Sequence, residues 1–142
     1  ISAGLLMVSI AHTLASEGRT LWDYLDEIEA AVGAFASGQV TIRLAPGTPG
    51  STVTTALRER KLSAIGSRTV TRHDDFLNGV GNFPQDDILR YYLEDATRVI
   101  ARPSGTEPKV KVYIDTEGAT SSEAQIRLSE VESDINALIS SL

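Results

Sequence analysis

A chain of 142 residues has room for one ordinary domain, or for one domain and a piece of another. Hydrophobic residues at 42% support a real core, and charged residues at 23% argue against disorder. The lack of cysteine excludes disulfides and thiolate metal sites, and a net charge of -6 weighs against nucleic acid or an anionic membrane as partner.

The chain opens at Ile1, without a methionine and in mid-pattern, as expected of a piece of a longer protein. Residues 1 to 35 read as two helices. Leu6, Ile10 and Leu14 share a stripe on the first, which stops near Gly18. Thr20 is the expected N-cap of the second, with Asp23 completing an imperfect capping box. Leu21, Leu25, Ile28 and Val32 lie on one face of that helix, with Asp26, Glu27 and Glu29 off it. Trp22 is expected to pack. Ala34 to Gly38, all small residues except Phe35, then reads as a linker. It divides the chain into residues 1–37 and 38–142.

Gln39 to Leu44 alternates as a half-buried strand, with Val40, Ile42 and Leu44 to one side. A turn at Pro46-Gly47 leads to a helix over about Ser51 to Leu62, which its threonines and Val53 weaken. Arg68 to Arg72 reads as a short strand, and His73 to Asp87 mainly as loop. His73, Asp74 and Asp75 do not make a metal or acid–base site, because neighbours in a strand point to opposite faces. Ile88–Leu93 and Thr97–Ala101 are the next strand pair, joined by Glu94-Asp95-Ala96. Thr120 and Glu123 cap a final helix whose stripe is Leu128, Val131, Ile135, Leu138 and Leu142. No apolar run approaches a membrane span, so no membrane partner is expected, and a reducing cytoplasm is compatible.

The stretch that carries chemistry is Ala101-Arg102-Pro103-Ser104-Gly105-Thr106-Glu107-Pro108-Lys109, between the strand Thr97–Ala101 and an alternating strand Val110–Ile114. Arg102 offers a planar fork of donors that can grip two phosphate oxygens at once. Ser104 and Thr106 add hydroxyl donors, and Gly105 keeps a Cβ away from an approaching anion. Pro103 and Pro108 stiffen the shoulders, and Lys109 adds a charge at the far lip. Arg102, Ser104, Gly105, Thr106 and Lys109 are therefore the candidate phosphate-binding residues. The same turn chemistry would also serve a purely structural loop with a solvated arginine.

R-P-S-G-T-E-P-K followed by V-K-V-Y-I resembles the signature loop of the C-terminal domain of the α-D-phosphohexomutases, the phosphoglucomutases and phosphomannomutases. Gly18-Arg19-Thr20-Leu21-Trp22-Asp23-Tyr24-Leu25-Asp26-Glu27-Ile28 resembles the end of the third domain of the same enzymes. The resemblance implies a C-terminal piece of such an isomerase, a phosphotransferase of carbohydrate metabolism. Residues 1–37 would be the last helices of domain 3, and 38–142 domain 4. Domain 4 implies an α+β fold similar to the TATA-binding-protein family: a mostly antiparallel sheet with helices on one face, in the order β-α-β-β-β-β-α, preceded here by a two-helix arm. Such enzymes move a phosphoryl group between O1 and O6 of a hexose through a phosphoserine, with Mg²⁺ bound in another domain. Domain 4 holds the phosphate that is not transferred. The serine segment and the D-x-D-x-D-R metal loop are absent from this chain, so no catalytic residue and no metal ligand is expected in it. Its partners would be the phosphosugar and the upstream domains, with self-association through the N-terminal helices a further expectation. Ala96 departs from the Asp-Gly that relatives often carry in this hairpin. The sugar stays open: phosphopentomutase and phosphoglucosamine mutase are alternatives within the family, and a stand-alone phosphosugar-binding module is another. A nucleic-acid module is disfavoured by the net charge and by the lack of a basic aromatic sheet face.

Overall fold

The computed structural model describes residues 2–142. Two helices come first, α1 (Ser2–Ser16) and α2 (Leu21–Val32), with Gly18 supplying the positive φ, +72°, that turns the chain between them. Thr20 caps α2 in a full capping box. Its hydroxyl accepts from the Asp23 amide at 3.2 Å, and the Asp23 carboxylate accepts from the Thr20 amide at 2.7 Å. Aspartate thus does what glutamate usually does at this position.

The remainder is β1 (Ala34–Arg43), α3 (Ser51–Arg60), β2 (Ala64–Ile65), β3 (Arg68–Asp75), β4 (Leu89–Leu93), β5 (Arg98–Pro103), β6 (Lys109–Gly118) and α4 (Ser121–Ser140), with a short 3-10 turn at Phe76–Asn78. Among the described residues the six strands form one sheet in the order β1-β6-β5-β4-β3-β2, and every pairing is antiparallel. The fold is α+β, as expected, with one short strand, β2, added.

Alternation decides which side of the sheet is core. Val110, Val112 and Ile114 of β6, Val99 and Ala101 of β5, and Leu89, Tyr91 and Leu93 of β4 point to one face and are buried. Val53 and Leu57 of α3, with Leu128, Val131 and Ile135 of α4, close over them. Each such aliphatic side chain contributes about 1.5–3 kcal/mol on burial. Both helices use this one face.

The other face is uncovered, and here the sequence-based expectation needs correcting. The register places Arg43, Arg72, Arg90, Arg98, Arg102, Lys109 and Lys111 on it, seven of the 13 Lys and Arg, together with Phe35, Tyr92 and Tyr113. A basic aromatic sheet face therefore exists. The net charge hid it because a sum over the whole chain does not say which residues share a face. Much of it is internally neutralised: Asp74 accepts from Arg72 and Arg90, Asp115 from Arg98, and Glu107 pairs with Lys109.

Four further expectations are corrected. Ala34 to Gly38 is not a linker but the first half of β1, paired with β6 from Ala34–Gly118 onward. Its residues are small because α4 lies directly on them: a Cβ at Gly38 would stand 2.9 Å from Leu128 Cδ1. Trp22 does not pack, being 75% exposed; α2 makes its main contacts with α1 and the start of β1. Leu142 falls beyond the end of α4 and is exposed. The strand expected over Arg68–Arg72 runs on to Asp75, where Asp74 and Asp75 are held by arginines on opposite faces. In the β4–β5 turn Ala96 takes a positive φ of +66°, the conformation a glycine would adopt without strain.

Candidate functional site

β5 delivers Arg102 and β6 begins at Lys109, so the expected loop bridges two neighbouring central strands. Its base is tied by the Ser104 amide donating to the Lys109 carbonyl at 2.9 Å and the Lys109 amide to the Glu107 carbonyl at 2.7 Å. The Leu44 amide, just past β1, donates to the Pro108 carbonyl at 2.8 Å and anchors the loop from the other side. The tip is left unsatisfied. The amides of Gly105 and Glu107 meet no protein acceptor among the described residues, and that of Thr106 reaches only the Ser104 hydroxyl, at 3.5 Å. Successive free amides beside a guanidinium form a concavity suited to an anion.

The Arg102 side chain is 58% exposed, and its nearest acid is Asp86 at 3.8 Å, too far for a hydrogen bond. The donor fork is therefore available. In front of Gly105 there is open space: a Cβ there would meet nothing within 4 Å. Its φ is not positive, so the glycine is not demanded by the backbone. Lys109 behaves differently from the expectation of a free lip charge. Its ammonium pairs with Glu107 and holds that carboxyl below the usual carboxylate range.

The loop forms one wall of a cavity of about 500 Å³. Arg102, Ser104, Gly105 and Thr106 line it together; Lys109 does not. The opposite wall is the turn Gly47–Ser51 at the start of α3, with Asp86 and Asp87 at the side. Sequence reasoning missed this wall, because only the β1–β6 pairing brings it to the loop. The approach is close. A Cβ on Gly50 would stand 2.7 Å from Pro103 Cβ and 2.9 Å from the Lys109 carbonyl. The repeated Pro-Gly of Pro46-Gly47 and Pro49-Gly50 was the one local signal of a tight passage.

Arg58 of α3 fixes the side wall. It donates to both carboxylate oxygens of Asp75, at 2.9 and 3.0 Å, and its Nη2 lies 2.7 Å from Asp87 Oδ1. Thr54 donates to the other Asp87 oxygen at 2.9 Å. The Arg58 hydrogen bonds hold the Asp75 carboxyl below its ordinary range, against the opposing effect of burial. Among the described residues, no group of three or more His, Cys, Asp or Glu is placed to hold a metal ion, and no helix is long and apolar enough to cross a membrane.

Comparison with known proteins finds relatives along most of the chain. A phosphomannomutase-like protein of Haemophilus influenzae, described as a probable phosphomannomutase, is 35% identical over 139 residues, which is 98% of this chain and 28% of that protein. A phosphoglucomutase of Staphylococcus epidermidis is 28% identical over 124 residues, 77% of this chain and 22% of its own. The chain thus spans under a third of the length of these curated relatives. Residues 53–133, which include β4, the whole loop and β6, match the sequence model of the phosphoglucomutase/phosphomannomutase C-terminal domain. With the loop, its strands and most of α4 inside that match, the chain belongs to the phosphoglucomutase/phosphomannomutase C-terminal domain family.

Proposed function

We propose that this chain is the C-terminal part of a phosphohexomutase that interconverts hexose 1-phosphate and hexose 6-phosphate, and that its loop clamps the phosphate that is not being transferred. The observation that carries the reading is the exposed Arg102 fork beside the unsatisfied amides of Gly105, Thr106 and Glu107, inside the residues matched to the family. Holding one end of a sugar phosphate uses binding energy remote from the reacting oxygen to position it. The intermediate must turn round between half-reactions. A clamp made of amides, hydroxyls and a guanidinium recognises a phosphate without fixing one sugar orientation.

The phosphoserine and the Mg²⁺ of the proposed reaction would be supplied by other parts of the enzyme. Bound Mg²⁺ would stabilise charge on the transferring phosphoryl group. We assign α1 and α2 to the preceding domain, whose sheet would take their apolar faces, and the substrate class implies a cytoplasmic enzyme. The 142-residue chain alone would then have no mutase activity, since a clamp without a nucleophile accelerates nothing.

Titration of the chain with glucose 6-phosphate, inorganic phosphate and glucose, followed by amide NMR, tests the clamp. Both phosphates should move the Gly105 and Thr106 resonances and glucose should not. Equal response to glucose, or no response to either phosphate, refutes it.

A further inference from the structure

The β3–β4 ladder carries a bulge. Val70 pairs with Leu93 and Arg72 with Tyr92, so Thr71 has no partner across the ladder. A bulge reverses the alternation of the strand beyond it. Val70 faces the helices, and without the extra residue Arg72 and Asp74 would follow it there. His73 and Asp75 do so instead, opposite Tyr91 and Leu89. Two polar side chains are thus turned onto the apolar side of the sheet. α3 does not cover them. It ends at Arg60, and Lys61 follows with a φ of +46°, a left-handed conformation that disfavours any residue with a Cβ.

The early stop leaves a hollow of about 260 Å³ between the end of α3 and these two strands. Leu57, Leu62 and Leu89 give it apolar walls. His73 and Tyr91 add an aromatic one, their ring centroids 6.3 Å apart and their planes 28° from parallel. Arg58 and Asp75 line it as well, while Asp87, the second acid on Arg58, lines the cavity at the loop instead. The Arg58 charge is therefore shared by two carboxylates. Asp75 is occupied too, accepting from Arg58 and from the Leu77 amide at 3.1 Å. Two donors are left over. Among the described residues the one lysine in an ion pair is Lys109, so the Lys61 ammonium at the rim is unmatched. Tyr91 is 4% exposed, and burial pushes its phenol up to about 12, which keeps the proton on it. That phenol makes no hydrogen bond to the described residues, and a buried hydroxyl without a partner is unfavourable.

We propose that this hollow is a second binding site, for a small carboxylate with a one-ring apolar body. Lys61 and the Tyr91 phenol are the donors to its carboxylate, and the three leucines and His73 take its ring. Size sets the class. A hollow of roughly 150 Å³ takes a benzene ring and drug-sized ligands need about 300 Å³ or more, so one ring with one short polar group fits here. Charge sets the head group, because the unmatched groups are a cation and a hydrogen-bond donor while the acid already present is satisfied. A sugar phosphate suits it poorly, since a polyol would meet leucine on three sides. The site does not depend on the clamp reading.

Amide NMR of the 142-residue chain, titrated with benzoate and separately with benzyl alcohol, tests it. Benzoate should give saturable shifts at Lys61, His73 and Tyr91, and should bind about tenfold more tightly than the neutral alcohol. Lys61→Gln should weaken benzoate about tenfold and leave benzyl alcohol within roughly twofold, and Tyr91→Phe should weaken benzoate about two- to fivefold. Lys61→Gly removes the same ammonium while suiting the left-handed backbone, so it should fold at least as well as the parent and lose benzoate equally. Thermal melts confirm that each variant is folded. No saturable shift at these three residues with millimolar benzoate overturns the site. If benzyl alcohol binds as tightly as benzoate, or the folded Lys61 variants hold benzoate within twofold of the parent, the hollow does not select a carboxylate and the proposal falls.

Discussion

Gly50 and Pro103 touch across the base of the loop, so closely that a single added methyl group at residue 50 would stand 2.7 Å from Pro103 Cβ. Gly50 has φ −59°, open to any residue, so the constraint is steric. Gly50→Ala should push the loop and the start of α3 apart and cost about 1–3 kcal/mol of stability. Gly105→Ala has free space before it and should change stability by less than about 0.5 kcal/mol, while still obstructing an anion at the tip. Denaturant melts of the two variants, run beside a phosphate titration, check this. Equal stability loss in both would contradict the packing described.

Arg102 is surface-exposed, so its replacement separates binding from folding. In the mutase proposed to carry this chain, Arg102→Ala should cost roughly 2–5 kcal/mol of transition-state binding, about 30-fold to several thousand-fold in kcat/KM. Arg102→Lys should recover only part, because an ammonium lacks the planar fork. Ser104→Ala should cost less, about 1.5–3 kcal/mol. A folded Arg102→Ala enzyme with kcat/KM within threefold of the parent would mean that the loop does not clamp phosphate.

The Arg58–Asp75 pair sets an acid limit on stability. Asp75 titrates below the ordinary value of 3.8 in the folded chain, chiefly through its hydrogen bonds from Arg58. Its contribution is therefore complete above that value and is lost as pH falls through the lower folded one, where the unfolded chain binds the extra proton. The melting temperature should be flat near neutrality and fall below about pH 4. Asp75→Asn should lower stability at pH 7 by about 1–3 kcal/mol and flatten the acid limb. Superimposable acid limbs in parent and variant would remove Asp75 from the account.

The arm presents Leu5, Leu6, Met7 and Val8 at 51% to 68% exposure, and only Leu14 of α1 is buried. With so few buried contacts, α1 should either exchange its amides far faster than α4 or pair with a second chain. Hydrogen exchange and sedimentation over a concentration series distinguish these. A monomer at all concentrations whose α1 is as protected as α4 would contradict both.

Residues whose environment is set locally were legible in the sequence. The alternation of Val110, Val112 and Ile114 announced their burial, Thr20 and Thr120 announced their helices, and the loop from Arg102 could be read as a unit. What was not legible depends on partners distant in the chain. Gly38 looked like part of a linker because the helix that requires its smallness begins more than eighty residues later. The Gly47–Ser51 wall and the basic sheet face depend on the strand order and on which face the helices cover, and neither leaves a mark in any short window. Trp22 misled because an aromatic in an amphipathic helix usually has something to cover it.

The first strand of the sheet, β1, has a single neighbour, and that neighbour is the last strand, β6. While the chain is being made, β4 and β5 can pair as soon as they emerge, but β1 must wait with its amides unpaired until β6 has followed them. The loop waits with it, since its exit strand and its Leu44 anchor both belong to that final closure. Interrupted synthesis or proteolytic trimming within β6 would therefore release a polypeptide with a long open edge and an untethered segment after β5. Its surveillance by chaperones would then depend on β6, the strand that immediately follows the loop.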